Sequence, residues 1–128
     1  MGKVVFDAVL DAALKDIADN ANKLFICSAE PANYTEASST YLLASVDLTT
    51  GDGNGDYTIA NGDTSGRKLT VAAQSGITVT NTGTATHIAL CDSVNSAVKV
   101  VTTCNSQVVT SGNTINLQAF DYEINDPA

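Results

Sequence analysis

Apolar residues recur at steps of three and four near the start of the chain: Phe6, Val9, Leu10, Ala13, Leu14, Ile17, Ala18 and Ala21. That spacing lines one face of an amphipathic helix. Asp7, Asp11, Lys15, Asp16 and Asp19 fall largely on the other face, and Asp7 and Asp11 suit the positive end of the helix dipole. Asn20 and Asn22 are stop signals, so the pattern predicts an N-terminal helix within residues 1–22. Beyond it the apolar runs become short. Strands are predicted at residues 23–28 and 41–48, with Glu30-Pro31 breaking the first and one helical turn near residues 34–37. Residues 49–63 are so rich in Gly, Asp and Asn that they read as a polar loop. From Arg67 onward turn residues recur every 8–12 positions or so. They divide the chain into predicted strands at 68–74, 77–81, 84–91, 97–103, 107–110, 114–117 and 119–124, with Ser111-Gly112-Asn113 as a hairpin-type turn. The predicted fold is mainly β: a single domain over residues 1–128, in which an antiparallel β-sandwich or jelly-roll-like body (residues 23–128) carries one N-terminal amphipathic helix.

Composition agrees with that picture. Apolar residues make up 44% of the 128, and charged residues only 16%. Much of the remainder is Thr, which suits strands, and Asn, Gly and Ser, which suit turns. The net charge of −8, with six basic residues, changes the list of partners. A phosphate backbone demands clustered Lys and Arg, and Arg67-Lys68 is the one adjacent pair. Nucleic acid and anionic membrane are therefore not expected partners. No run approaches the roughly 18–20 apolar residues of a membrane-spanning helix, and the first residues lack the apolar core of a signal peptide.

Candidate chemistry is sparse. Cys27, Cys91 and Cys104 are odd in number and have no C-x-x-C spacing, which points to unlinked thiols and to no zinc site. A hairpin centred near Asn95 would set Cys91 opposite about Lys99 and Cys104 opposite about Thr86, out of register for a bridge. Asp52-Gly53-Asn54-Gly55-Asp56 matches the oxygen-ligand start of a calcium loop. Tyr57 then stands where that loop needs Gly, and Asp63 where it needs a bidentate Glu. Asp52, Asn54, Asp56 and Asp63 are thus weak metal candidates, and a solvated Gly-rich tip is the preferred reading. Residues 63–68 join hydroxyls, a Gly and two cations without the spacing of a phosphate-binding loop; a tight turn with Arg67 paired to a carboxylate is expected. His87, the one histidine, lies mid-strand on the same face as Cys91, too far from it for direct proton transfer. Asn33-Tyr34-Thr35 is a formal glycosylation sequon with meaning only in a eukaryotic secretory pathway. No catalytic residue and no cofactor are predicted.

Several segments taken together resemble a family of small structural proteins of tailed-phage particles. They are the N-terminal helix, residues 27–31 (Cys-Ser-Ala-Glu-Pro) with 34–37 (Tyr-Thr-Glu-Ala), residues 62–71 (Gly-Asp-Thr-Ser-Gly-Arg-Lys-Leu-Thr-Val), residues 83–90 (Gly-Thr-Ala-Thr-His-Ile-Ala-Leu), residues 101–104, residues 117–120 and the tail at 123–127. The resemblance covers nearly the whole chain. It implies a virion protein, not an activity; the missing signal-peptide core leads to the expectation that it is made in the host cytoplasm. Size, acidity and the β-rich body favour a capsid decoration (cement) protein that stabilises the head lattice through surface contacts. A tail, baseplate or fibre-associated module is the alternative, and a small lytic or depolymerising enzyme a weaker one. The expected partners are the major capsid protein or other virion proteins and further copies of the chain. A trimer is favoured, because decoration proteins often match three-fold positions on a head lattice. Val4, Val5, Phe6, Leu10, Leu14 and Ile17 are the candidate interface residues, joined by sheet edges that few prolines or lysines block.

Overall fold

A computed structural model describes residues 5–126. In chain order the elements are α1 (Asp7–Asn20), β1 (Lys23–Cys27), a π-helical turn (Glu36–Thr40), β2 (Leu42–Asp47), β3 (Tyr57–Asn61), β4 (Arg67–Val71), β5 (Gln74–Thr78), β6 (Gly83–Asp92), β7 (Ala97–Val109), β8 (Thr114–Leu117) and β9 (Phe120–Ile124). The protein is mainly β, every pair of these strands is antiparallel, and the N-terminal helix is present as the periodicity predicts. Its contacts group into two compact units.

The first unit joins α1 to a three-stranded sheet of order β3-β4-β9. In register, Tyr57 faces Val71 and Ile59 faces Leu69 across β3 and β4, while Leu69 faces Tyr122 and Val71 faces Phe120 across β4 and β9. The helix lies on β3 and β4 and buries Leu10, Leu14, Ile17 and Ala18. At 100° per residue these four cover a sector of about 100°, the width a helix needs to seal one sheet face. Phe6 stands just ahead of the helix, and its carbonyl accepts from Val9 N (2.9 Å) and Leu10 N (3.4 Å). A charged clamp adds to the apolar contact. Arg67 Nε donates to Asp11 Oδ1 at 2.7 Å, Nη2 to Oδ2 at 3.4 Å, and Nη1 to Asn61 Oδ1 at 2.8 Å. The fork geometry fits a bidentate carboxylate. The bond to Asp11 raises the Arg67 pKa further, so the guanidinium stays charged throughout the working range of pH. At the other end of the helix, Gly51 N donates to the Ala18 carbonyl at 2.7 Å and satisfies one of its open acceptors.

The second unit contains a four-stranded sheet of order β2-β1-β6-β7 and the two-stranded pair β5-β8. β1 is central and buried from Leu24 to Cys27, so its apolar residues run continuously instead of alternating. On one face Phe25, Cys27, Ala37, Ala89 and Cys91 form a core cluster, with Tyr34, Tyr41, Leu42, Val98 and Val101 packed around it. Phe25 and Tyr34 meet edge to face at 6.0 Å and 71°. The π-helical turn brings Ala37 into this cluster. Its closing bond runs from Tyr41 N to Glu36 O (2.8 Å). In the segment leading into it, Asn33 Oδ1 accepts from Glu36 N (2.9 Å), and Glu36 Oε1 accepts from Ala32 N (2.7 Å).

Several expectations are corrected. Residues 49–63 are not all loop: Tyr57–Asn61 is a strand, with Tyr57 buried. Its five residues are outweighed by Gly and Asp neighbours in any window, yet Tyr57-Thr58-Ile59 are strand formers. The strands expected at 97–103 and 107–110 are one strand, β7, because a slip in the ladder between Ala85 and His87 absorbs the polar residues between them. Another slip pairs Leu90 with Val100 but Cys91 with Val98, so Val98, not Lys99, faces Cys91. Ser111-Gly112-Asn113 turns the chain, with Gly112 at φ +92°, but it joins strands that pair elsewhere: β7 with β6, and β8 with β5.

Candidate interaction surface

The interface residues expected from the sequence divide sharply. Leu10, Leu14 and Ile17 are buried inside their own unit and offer nothing to a neighbour. The reason is the sheet beneath the helix, which uses the centre of the apolar stripe and leaves its flank. Phe6 and Val9 are on that flank and are 76% and 61% exposed. Val5 is half-buried, and Val4 lies outside the described residues. In the second unit Val94 and Val108 are 83% and 73% exposed.

The edges of the four-stranded sheet are less open than the sequence suggests. On β2, Leu43 O accepts from Thr80 N (2.8 Å) and Asn81 N (3.2 Å), and Leu42 O accepts from Asn81 Nδ2 (2.8 Å). The chain thereby covers its own edge. On β7 the extra residue at the Leu90 slip is Lys99. A bulge with a lysine on an edge strand discourages strand addition. On this sheet the available contacts are therefore exposed side chains, not open strand edges.

Val94 is the clearest of these. It rides at the tip of the β6–β7 hairpin, and the tip is held from two sides. Asp92, 3% exposed, accepts at Oδ1 from Val94 N (2.9 Å) and Asn95 N (3.2 Å), and at Oδ2 from Asn95 Nδ2 (2.8 Å). Asn22 grips the adjacent Ser93: its Oδ1 accepts from Ser93 N (2.9 Å), and its Nδ2 donates to Ser93 Oγ (2.8 Å). Ser96 takes φ +53° to close the turn. The hydrogen bond from Asn95, opposed by burial and helped by the backbone donors and Lys99, holds the Asp92 pKa below the usual aspartate value. A depressed folded pKa gives stability that is present above the unfolded value of about 3.9 and is lost as pH falls through the folded one. Urea unfolding followed from neutral pH down into the acid range should show that loss. Asp92→Asn should reduce it, and an unchanged acid profile in the variant would mean that another carboxylate is responsible.

The remaining candidates serve the fold. Asp52 Oδ1 accepts from Ile59 N (2.9 Å), Asp56 Oδ2 from Thr49 N (2.5 Å) and Asp63 Oδ1 from Lys68 Nζ (2.8 Å), while Asn54 Nδ2 donates to Thr50 O (3.0 Å). The four side chains point to different backbone or lysine partners and do not converge. Among the described residues no group of three or more His, Cys, Asp or Glu is placed to hold a metal ion. Arg67 pairs with Asp11, and Lys68 also reaches Asp121 at 3.5 Å. His87 faces Cys27 on β1 and Thr103 on β7, and its Nδ1 is 2.8 Å from Thr86 Oγ1. Cys27, Cys91 and Cys104 are free thiols. Burial pushes the Cys27 thiol up to about 11, with Cys104 adding to the rise, and the Cys91 thiol up to about 12, with Cys27 adding. Neither is a thiolate near neutral pH, so neither is poised as a nucleophile.

Two features escaped the sequence reading. The Asp92 brace was signalled by Asp92-Ser93-Val94-Asn95, an Asx-turn pattern. The pairing of Asn22 with Ser93, far apart in the chain, left no local signal. No helix of the described residues is long and apolar enough to cross a membrane. Comparison with known protein families, curated proteins and solved structures returns no match.

Proposed function

We propose that this chain is a non-enzymatic structural protein of a tailed-phage particle, and that it acts as a capsid decoration protein. The observation that carries the reading is the set of exposed apolar side chains on braced elements: Phe6 and Val9 at the start of α1, and Val94 on the locked hairpin tip. A protein that adds to a preformed shell works by such contacts. Exposed side chains carried on a hydrogen-bonded backbone spare the cost of ordering that backbone on docking, so more of their burial is retained as affinity. The net charge of −8 suits a basic surface on the partner. The resemblance to small tailed-phage structural proteins supports the particle as the setting. On this reading the partners are the major capsid protein and further copies of the chain, with a trimer as the unit that meets a three-fold position.

Deleting the helix would uncover the core of the first unit, so it is a poor test. Surface substitutions away from special features change stability by only about ±0.5 kcal/mol. Phe6→Ser with Val9→Ser, and separately Val94→Ser, should leave the urea midpoint nearly unchanged. Each should lower the number of copies retained on purified particles, measured by quantitative mass spectrometry, from hundreds per particle in the parent. Full retention in both variants, or a particle map with a few copies at the tail, would overturn the decoration reading. A monomer at micromolar concentration in sedimentation would overturn the preformed trimer.

A further inference from the structure

Three steps in the chain place Gly directly after Asn or Asp: Asp52-Gly53, Asn54-Gly55 and Asn61-Gly62. Without a side chain on the second residue, its backbone nitrogen can reach the carbonyl carbon of the preceding side chain. Asparagine is chemically labile for this reason. Reaction needs that nitrogen to be free and the local backbone to swing. The structure separates the three steps on both counts.

Gly53 N donates to Tyr57 O at 2.8 Å, and Gly62 N donates to Gly66 O at 2.9 Å. Asn61 is also held by its side chain, because Oδ1 accepts from Arg67 Nη1 at 2.8 Å. A Cβ built on Gly62 would lie 2.0 Å from Ser65 O, so the chain there is closely packed. Gly55 is different. Among the described residues its N–H has no acceptor, it is exposed at φ +123°, and nothing lies within 4 Å of where its Cβ would be. Asn54 is exposed, and its amide is restrained by the bond to Thr50 O.

We infer that Asn54-Gly55 is a site of spontaneous covalent modification, deamidation through a cyclic imide, and that the other two steps are protected by the fold. Hydroxide removes the Gly55 N–H proton and the nitrogen attacks Asn54 Cγ. The new N–Cγ bond closes a five-membered imide as the Cγ–Nδ2 bond breaks and ammonia leaves. Water then opens the imide at either carbonyl, giving aspartate or isoaspartate. Water is consumed, ammonia is released, and nothing is oxidised or reduced. The product carries one more negative charge, between Asp52 and Asp56, and loses the bond from Nδ2 to Thr50 O.

The full chain, held in mildly alkaline buffer at 37 °C, should convert at Asn54 at least about tenfold faster than at Asn61, a rate ratio equal to about 1.4 kcal/mol in barrier. Peptide mapping by mass spectrometry reads both positions. In denaturant the two should convert at comparable rates, because the protection is structural. Asn54→Gln should remove the first acidic species seen by ion exchange. Equal rates at the two positions in the folded protein would overturn the inference. So would a gap that persists in denaturant, or an Asn54 still intact when a synthetic peptide of residues 50–58 is half converted.

Discussion

Leu14→Ala is expected to destabilise the unit formed by α1, β3, β4 and β9 by about 2–5 kcal/mol, the range for removing a fully buried leucine. Leu14 is wholly buried, with Leu10, Ile17 and Ala18 buried on the same helix face. A helix of 14 residues is marginal by itself, so its order depends on this contact with the sheet. Hydrogen exchange at the amides of β3, β4 and β9 should accelerate with the fall in the urea midpoint. Val9→Ala on the exposed flank is the control and should change little. A loss below about 1 kcal/mol for Leu14→Ala would show that the helix is not docked on this sheet.

Gly66→Ala should be costly for two separable reasons. Gly66 has φ +69°, where a side chain costs roughly 1–2 kcal/mol. A Cβ there would also lie 1.9 Å from the carbonyl oxygen of Ile124 and 2.9 Å from Asn125 Cα. Those are backbone atoms of β9 and the residue after it, so the strand must shift away from β4 or the turn must open. Gly76→Ala supplies the reference: φ is +65°, but its Cβ meets nothing within 4 Å. The excess of Gly66→Ala over Gly76→Ala isolates the clash, and chemical denaturation of the two variants measures it. Equal losses would mean that β9 does not lie against this turn.

The helix and most strand positions were set by local pattern. Steps of three and four from Leu10 to Ile17 require a helix, because no extended chain puts those residues on one face. Gly83 opens β6 and Asn113 stands just before β8, where the turn residues place breaks, but Gly76, expected between two strands, lies inside β5 because the pairing with β8 carries the chain through it. The odd cysteines without metal spacing were legible in the same way. Pairing was not. β9 joins β4 across 49–57 residues of chain and β8 joins β5 across 36–43, and neither contact leaves a trace in a short window. Nor does periodicity tell Phe6 and Val9 from Leu14. All three belong to one apolar set, and the width of the β3–β4 surface decides which are buried and which face outward. The same holds for the charged residues: Arg67 and Asp11 are a clamp only because β4 lies under α1. Local pattern acts through steric and solvation preferences over a few residues. Burial and pairing depend on which distant surfaces meet, and only the assembled chain specifies that.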